Sequence, residues 1–313
     1  MVVELRKVAG LVARRLVLLF VLLALVFLVV DLLPGNAARA VLGRDAPADR
    51  IAAKEHELGL DRPLPERFRS WFTGALTGDF GTTAHGQSVN GLLAENFPQT
   101  LLLASIAMLV TVAVALLCGM WWAARPSGFA ARVLRPGTAF ATAIPEFVVA
   151  IVLVLVFSLW LGLLPSVTFT DRSGYPASPE MLVLPVVALA VPQAAWNARV
   201  VRGAVLDAAT APHVDNALLN GLPERTVLLR HVVPFALPAI AASFATSVGT
   251  LFGGALVVET IFNYPGVGAL IAGSVSDRDT ALVAAIVALT GTTIMCVLLA
   301  ADGIRIWANR GRR

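Results

Sequence analysis

Residues 96–124 read NFPQTLLLASIAMLVTVAVALLCGMWWAA, with no acid or base between Glu95 and Arg125. As a helix rising 1.5 Å per residue, such a run is longer than the ~20 residues that cross a ~30 Å hydrocarbon core. Five more runs resemble it: Leu16–Val30, Pro136–Pro145 joined to Phe147–Thr170 across the single Glu146, Met181–Ala198, His231–Val258 and Thr280–Ala301. The whole chain agrees: 58% of its 313 residues are hydrophobic and 14% charged, where soluble domains carry about 25% charged residues. Its mean hydropathy is +0.80. The expectation is an all-α integral membrane protein with six spans, at 16–33, 97–124, 137–163, 181–198, 235–258 and 280–302. A signal peptide competes for the first run, since Arg6, Lys7, Arg14 and Arg15 precede it. The run ends in Asp31-Leu32-Leu33-Pro34 without a small-residue cleavage pattern, so the span is expected to stay.

Basic residues orient the spans, because cytoplasmic connections hold the excess of Lys and Arg. The N-terminal segment 1–15 has four bases against Glu4, the 125–135 connection has Arg125, Arg132 and Arg135, and the tail 303–313 has Arg305, Arg310, Arg312 and Arg313. Residues 34–95 are balanced in charge, and residues 259–279 hold Glu259, Asp277 and Asp279 against Arg278 alone. Both termini are therefore expected in the cytoplasm, with 34–95 forming an extracytoplasmic cap. The net charge of +4 follows from this bias and gives no separate argument for nucleic acid. The lysines, Lys7 and Lys54, follow no glycine-rich turn, so there is no phosphate loop and no ATP site of the chain's own. The four histidines are scattered, which argues against a metal site or other bound cofactor. Cys118 and Cys296 fall within spans, where they read as apolar filler.

Within the cap, Ala46–Phe72 reads as one or two short helices broken at Asp61-Arg62-Pro63, with Leu58, Leu60, Phe68, Trp71 and Phe72 holding it against the membrane surface. In the spans, Pro145, Pro185 and Pro192 are expected to bend or break their helices. Ala241, Ala245, Gly249 and Gly253 make a small-residue stripe suited to close helix packing, or to a pathway at Gly249 and Gly253. Glu146 and Glu259 are the ionisable groups nearest the hydrocarbon. Glu146 is a candidate pathway residue, and Glu259 reads as an outer-interface carboxylate beside Asn263, Pro265, Gly266 and Gly268.

One polar stretch stands between two spans. Residues 215–238, DNALLNGLPERTVLLRHVVPFALP, predict a short helix over Asp207–Leu219 interrupted near Pro212, ended by a positive-φ Gly221 and restarted at Leu222-Pro223-Glu224. Val214, Ala217 and Leu218 would form its apolar face. The spacing Asp215-Asn216-Ala217-x3-Gly221, followed by His231-Val232-Val233-Pro234, resembles the E-A-A-x3-G-x9-I-x-L-P signature of importer permeases of the ATP-binding cassette class. Asp215, Asn216 and His231 depart from it. Leu32-Leu33-Pro34-Gly35-Asn36, Leu58-Gly59-Leu60-Asp61-Arg62-Pro63, Gly78-Asp79-Phe80-Gly81, Pro98-Gln99-Thr100-Leu101 and Val258-Glu259-Thr260-Ile261-Phe262-Asn263-Tyr264-Pro265-Gly266-Val267-Gly268 look like the B-type permease of dipeptide, oligopeptide and nickel importers. The ending departs, with Ile304-Arg305-Ile306-Trp307 where relatives often have Asp-Pro-Arg.

That resemblance implies a permease core over 96–313 in a bacterial inner membrane, without enzymatic activity or cofactor. Its expected partners are a second similar permease, two ATPase subunits or domains, an extracytoplasmic substrate-binding lipoprotein and membrane lipid. It also makes 203–232 the coupling region, with Asp215, Asn216, Ala217, Leu218, Gly221, Leu222 and Pro223 gripped by the ATPase and Glu259, Asn263, Pro265, Gly266 and Gly268 as a gate or outer loop. Di- or oligopeptides are the implied cargo; nickel, metal chelates, opines and glycosides are cargoes of the same class. A secondary transporter would need paired intramembrane charges in repeated halves, and the sequence has neither.

Overall fold

The computed structural model describes the backbone of residues 2–33, 35, 37–43, 45–125, 127–172 and 174–310, and the side chains of these except 2–8, 130 and 304–310. Pro34 and Asn36 of the first motif lie outside the described residues, as do Arg312, Arg313 and the side chains of Arg6, Lys7 and Ile304–Trp307. The described chain is helical: α1 Val2–Asp31, α2 Ala37–Leu42, α3 Ala48–Glu57, α4 Leu64–Leu76, α5 Val89–Ala124, α6 Phe129–Ala143, α7 Glu146–Leu153, α8 Glu180–Ala209, α9 Pro212–Leu219, α10 Glu224–Val227, α11 Val233–Ile261, α12 Val267–Ser276 and α13 Thr280–Arg310. Wider π-helical turns continue α7 over Val154–Trp160 and join α10 to α11 over Leu228–Val232. The isolated bridges Thr82–Ser88 and Thr170–Pro176 are the only β pairings among the described residues.

Five helical segments are long and apolar enough to span a bilayer: Ala9–Asp31, Val89–Ala124, Glu180–Ala209, Glu224–Ile261 and Thr280–Gly303. The expected third span, 137–163, is a pair of helices bent by 103°, at the break that Pro145 predicts. The break has a local cause. Ile144, which precedes a proline, is extended (φ −95°, ψ 125°), and Pro145 has no N–H with which to continue α6. Pro185 and Pro192 behave differently, since α8 runs through both without interruption. The helix also runs on to Ala209, past the expected end at 198.

The chain forms two compact units. Unit one comprises Met1–Gln99 and Pro265–Met295. In the cap segment, α4 lies along the last turns of α1. Arg67 Nη1 donates to Asp31 Oδ1 at 2.6 Å, Phe68 sits 5.2 Å from Phe27 and 5.6 Å from Phe20, and Phe72 sits 5.2 Å from Phe20. Such edge-on ring pairs add about 0.5–1.5 kcal/mol each beyond their buried area. Elsewhere in this unit Asp279 caps α13, its Oδ1 accepting from Leu282 N at 3.1 Å and its Oδ2 from Ala84 N at 2.6 Å. Burial pushes the Asp279 carboxyl above the usual range, against the pull of those two N–H donors.

Unit two comprises Thr100–Tyr264 and Cys296–Arg313. Helix α8 is its axis, packed against α6, α7 and α11. Leu184, Leu189, Leu251, Val258 and Phe262 form one buried cluster, and Val201, Val205, Val214, Ala217, Val227 and Val232 form another. Within α11 the close approach falls at Gly254 and not at Gly253 of the expected stripe, whose Ala245 is buried. A Cβ on Gly253 would meet nothing within 4 Å, whereas one on Gly254 would lie 3.2 Å from Leu189 and 3.3 Å from Glu146. Gly249 is half-buried.

Candidate functional site: a pinned protrusion and a polar crevice

Unit two carries two features that composition alone does not explain. The first is the protrusion after α8. Thr210 ends that helix, Ala211 is extended (φ −77°, ψ 142°), and Pro212 starts α9 in the first-turn position where its missing N–H costs nothing. Asp207 thus belongs to the end of α8, and the helix expected over 207–219 begins at Pro212. At the other end Gly221 has φ +75°. Gly221 N donates to Leu218 O at 2.9 Å and Leu222 N to Ala217 O at 3.2 Å, the paired bonds that end a helix on a left-handed residue. Pro223 (φ −59°, ψ 139°) then caps α10, with Glu224 in its first turn.

The two faces of α9 differ. Val214 (3% exposed) and Ala217 (5%) point inward, packed with Val201 and Val205 of α8 and Val227 and Val232 beyond the turn. His213 adds a polar pin: its Nε2 donates to the His231 carbonyl at 2.9 Å, and its ring lies 4.1 Å from that of Phe235. Leu218 (47% exposed) and Leu219 (86%) point outward, with Asp215, Asn216, Gly221, Leu222 and Pro223 also exposed. Ala217 is an inward anchor, and Leu218 leaves the expected apolar face and joins Leu219 outside.

The second feature is a crevice of about 420 Å³ at the α6–α7 break, lined by Pro145, Glu146, Gln193, Trp196, Ser247 and Thr250 among others. Gln193 Nε2 donates to Glu146 Oε1 at 3.5 Å. Below it, fully buried Asn197 donates through Nδ2 to Ser247 Oγ at 2.7 Å and to Gln193 O at 2.8 Å, and its Oδ1 accepts from Ser243 Oγ at 2.5 Å. This network ties α8 to α11. Among the described residues no basic side chain forms an ion pair with Glu146. Sequence reasoning singled out Glu146 and missed its polar neighbours, although Gln193/Asn197, Ser243/Ser247 and Thr246/Thr250 recur at the four-residue spacing of one helix face.

Glu259, expected at an interface, is wholly buried in the last turn of α11. Tyr264 N donates to its carbonyl at 2.8 Å across a left-handed Asn263 (φ 48°). Burial, then the nearby Glu259 carboxylate, push the Tyr264 phenol above its ordinary range. Pro265 follows Tyr264, Gly266 caps α12 and Gly268 is buried within it.

Replacing Asn197 with alanine removes both the acceptor of Ser243 and the donor to Ser247 and leaves buried polar groups without partners. The expected cost is about 1–3 kcal/mol, read as a lower melting temperature of the detergent-solubilised protein. Ser243→Ala should cost less. An unchanged melting temperature for Asn197→Ala would show that the network contributes nothing to the packing of α8 on α11.

Residues 115–313 match the family described as "Binding-protein-dependent transport system inner membrane component", and residues 5–104 match the N-terminal domain described for the same transport-system membrane components. The chain is 30% identical over 297 residues to the probable peptide ABC transporter permease protein y4tP of Sinorhizobium fredii, covering 93% of this chain and 95% of that one. It is 31% identical over 303 residues to the glutathione transport system permease protein GsiC of Salmonella typhimurium, covering 95% of this chain and 94% of that one. Among solved structures, an inward-facing form of the MetNI methionine ABC transporter superposes with a TM-score of 0.53 at 17% identity, over 69% of this chain and 96% of the other. That likeness concerns the fold.

Proposed function

Because the chain belongs to the family of binding-protein-dependent transport system inner membrane components, we propose that it is the permease subunit of an ATP-binding cassette importer that carries di- or oligopeptides. The family is a membrane component and not an enzyme; the work of ATP hydrolysis falls to separate subunits. The observation that carries the reading is the α9 protrusion, pinned on one face and offering exposed Leu218 and Leu219 on the other. A soluble ATPase that closes on nucleotide would grip Leu218 and Leu219, and the inward anchors Val214 and Ala217 would pass the displacement to α8 and α11. Rigid packed elements transmit such movements because they switch as bodies. The names of y4tP and GsiC favour a peptide cargo, glutathione being itself a short peptide. The crevice at Glu146 is the stretch of pathway this chain would supply, completed by a second permease. A secreted or lipid-anchored binding protein would deliver the cargo to the face bearing 34–95.

Two measurements test this. A reporter active only outside the cytoplasm is expected to work when fused near Asp61 or Ser173, the latter outside the described residues, and to fail near Gly128 or Gly221; activity at Gly221 would invert the topology. The chain reconstituted with its ATPases and binding protein is expected to take up a labelled di- or tripeptide only with ATP, while the purified chain alone hydrolyses no ATP above background. Turnover by the single pure chain would remove it from the class.

A further inference from the structure

A second cavity of unit two, about 550 Å³, is lined by Trp122 of α5, Arg135 and Ala139 of α6, and Trp196, Arg199, Val200 and Arg202 of α8. Its charge is of one sign. Three arginines line it and no carboxylate does, and among the described residues none of the three forms an ion pair. Arginine keeps its charge at any physiological pH, so three of them around one cavity repel one another unless an anion joins them. Arg202 sharpens the point. Its guanidinium carbon lies 4.6 Å over the ring of buried Trp122, which holds the group in place, while its Nε is buried with no hydrogen-bond partner. A buried donor on a charged group is costly when left unmade, and a bound oxyanion would satisfy it. The position suits one class of anion. Trp122 is three residues before Arg125, and Arg199 and Arg202 lie just past the charge-free run of the fourth span. Tryptophans beside arginines at that depth mark the border between hydrocarbon and head groups.

We propose that Arg135, Arg199 and Arg202, framed by Trp122 and Trp196, form a binding site for a phosphate group, held as the head group of an anionic phospholipid of the cytoplasmic leaflet or as free phosphate. Arginine forks match phosphate oxygens in pairs, and basic pockets between spanning helices at this face take anionic head groups. The site does not depend on the cargo. Trp196 also borders the Glu146 crevice, so an occupied site would stiffen the wall that the two cavities share.

The test uses the full chain in its assembled transporter, in nanodiscs of phosphatidylcholine containing a brominated lipid as quencher of tryptophan fluorescence. Brominated phosphatidylglycerol is expected to quench the Trp196-dependent signal, defined by subtraction of Trp196→Phe, with an apparent affinity about tenfold or more above that of brominated phosphatidylcholine. The preference is expected to vanish in Arg135→Gln/Arg199→Gln/Arg202→Gln. The single variant Arg199→Gln, whose side chain is exposed, should weaken it severalfold without altering the melting temperature, which separates lost binding from lost folding. Inorganic phosphate in the buffer distinguishes the two sources. If phosphatidylglycerol shows no preference but phosphate changes the signal in an arginine-dependent way, the ligand is soluble phosphate. Equal quenching by both lipids together with no response to phosphate, or a preference that survives in Arg199→Gln and in the triple variant, would overturn the site.

Discussion

Substituting arginine for both Leu218 and Leu219 is expected to abolish ATP-driven uptake while leaving the chain inserted at normal abundance. Both side chains point away from the core, Leu219 with 86% of its surface exposed, so neither replacement opens a cavity or buries a charge in the chain itself. In the assembled transporter the pair would seat in an apolar groove. Loss of a central apolar anchor costs an interface about 2 kcal/mol or more, and an unpaired charge forced into the groove adds its own desolvation. Together these predict association with the ATPase weakened about a hundredfold or more. Co-purification with the ATPase is the deciding measurement, since lost uptake alone has many causes. Gly221→Val should act in the same direction and more weakly. Its Cβ would meet nothing within 4 Å, so the penalty is the roughly 1–2 kcal/mol of holding a β-branched residue left-handed. If the double arginine variant still retains its ATPase and imports at the normal rate, α9 is not the lever.

Gly119→Val should fail earlier, at folding. A Cβ on Gly119 of α5 would lie 2.7 Å from Val201 Cβ, 2.8 Å from Val201 Cγ1 and 2.8 Å from Ala198 O. The obstacles include backbone and a β-carbon, which no rotamer change can move, so α5 must back away from α8 along its length. Overpacking of this kind costs about 1–3 kcal/mol, and valine adds two further methyl groups to the clash. The expected result is little full-length protein in the membrane, with Gly119→Ala intermediate. Val201→Ala should not rescue either variant, because alanine keeps the offending Cβ and the Ala198 carbonyl is untouched. Gly253→Ala, facing open space, should be silent. Gly119→Val accumulating and melting like the unmodified chain would mean that α5 and α8 do not pack at this distance.

The membrane class of the protein was readable from the sequence because hydrocarbon imposes a length and a charge limit on each span, and both are properties of a stretch taken alone. The turn at Gly221 and the break at Pro145 were readable for a similar reason: a left-handed φ and a missing N–H act on the backbone within a few residues. Tertiary structure decided the rest. Spans that are apolar on every side carry no amphipathic stripe to mark their inner face, so small residues at four-residue spacing could not say that Gly254, not Gly253, meets a neighbour. Nor could the apolar pattern of α9 separate Ala217, which is anchored, from Leu218, which is offered. Asn197 meets Ser243 and Ser247 only because α8 and α11 face one another, and Arg135 joins Arg199 and Arg202 only because α6 folds back on α8. Local chemistry sets where each helix starts, stops and lies in the bilayer; the identity of the facing helix is a property of the packed chain, and every site described here is made by such a pairing.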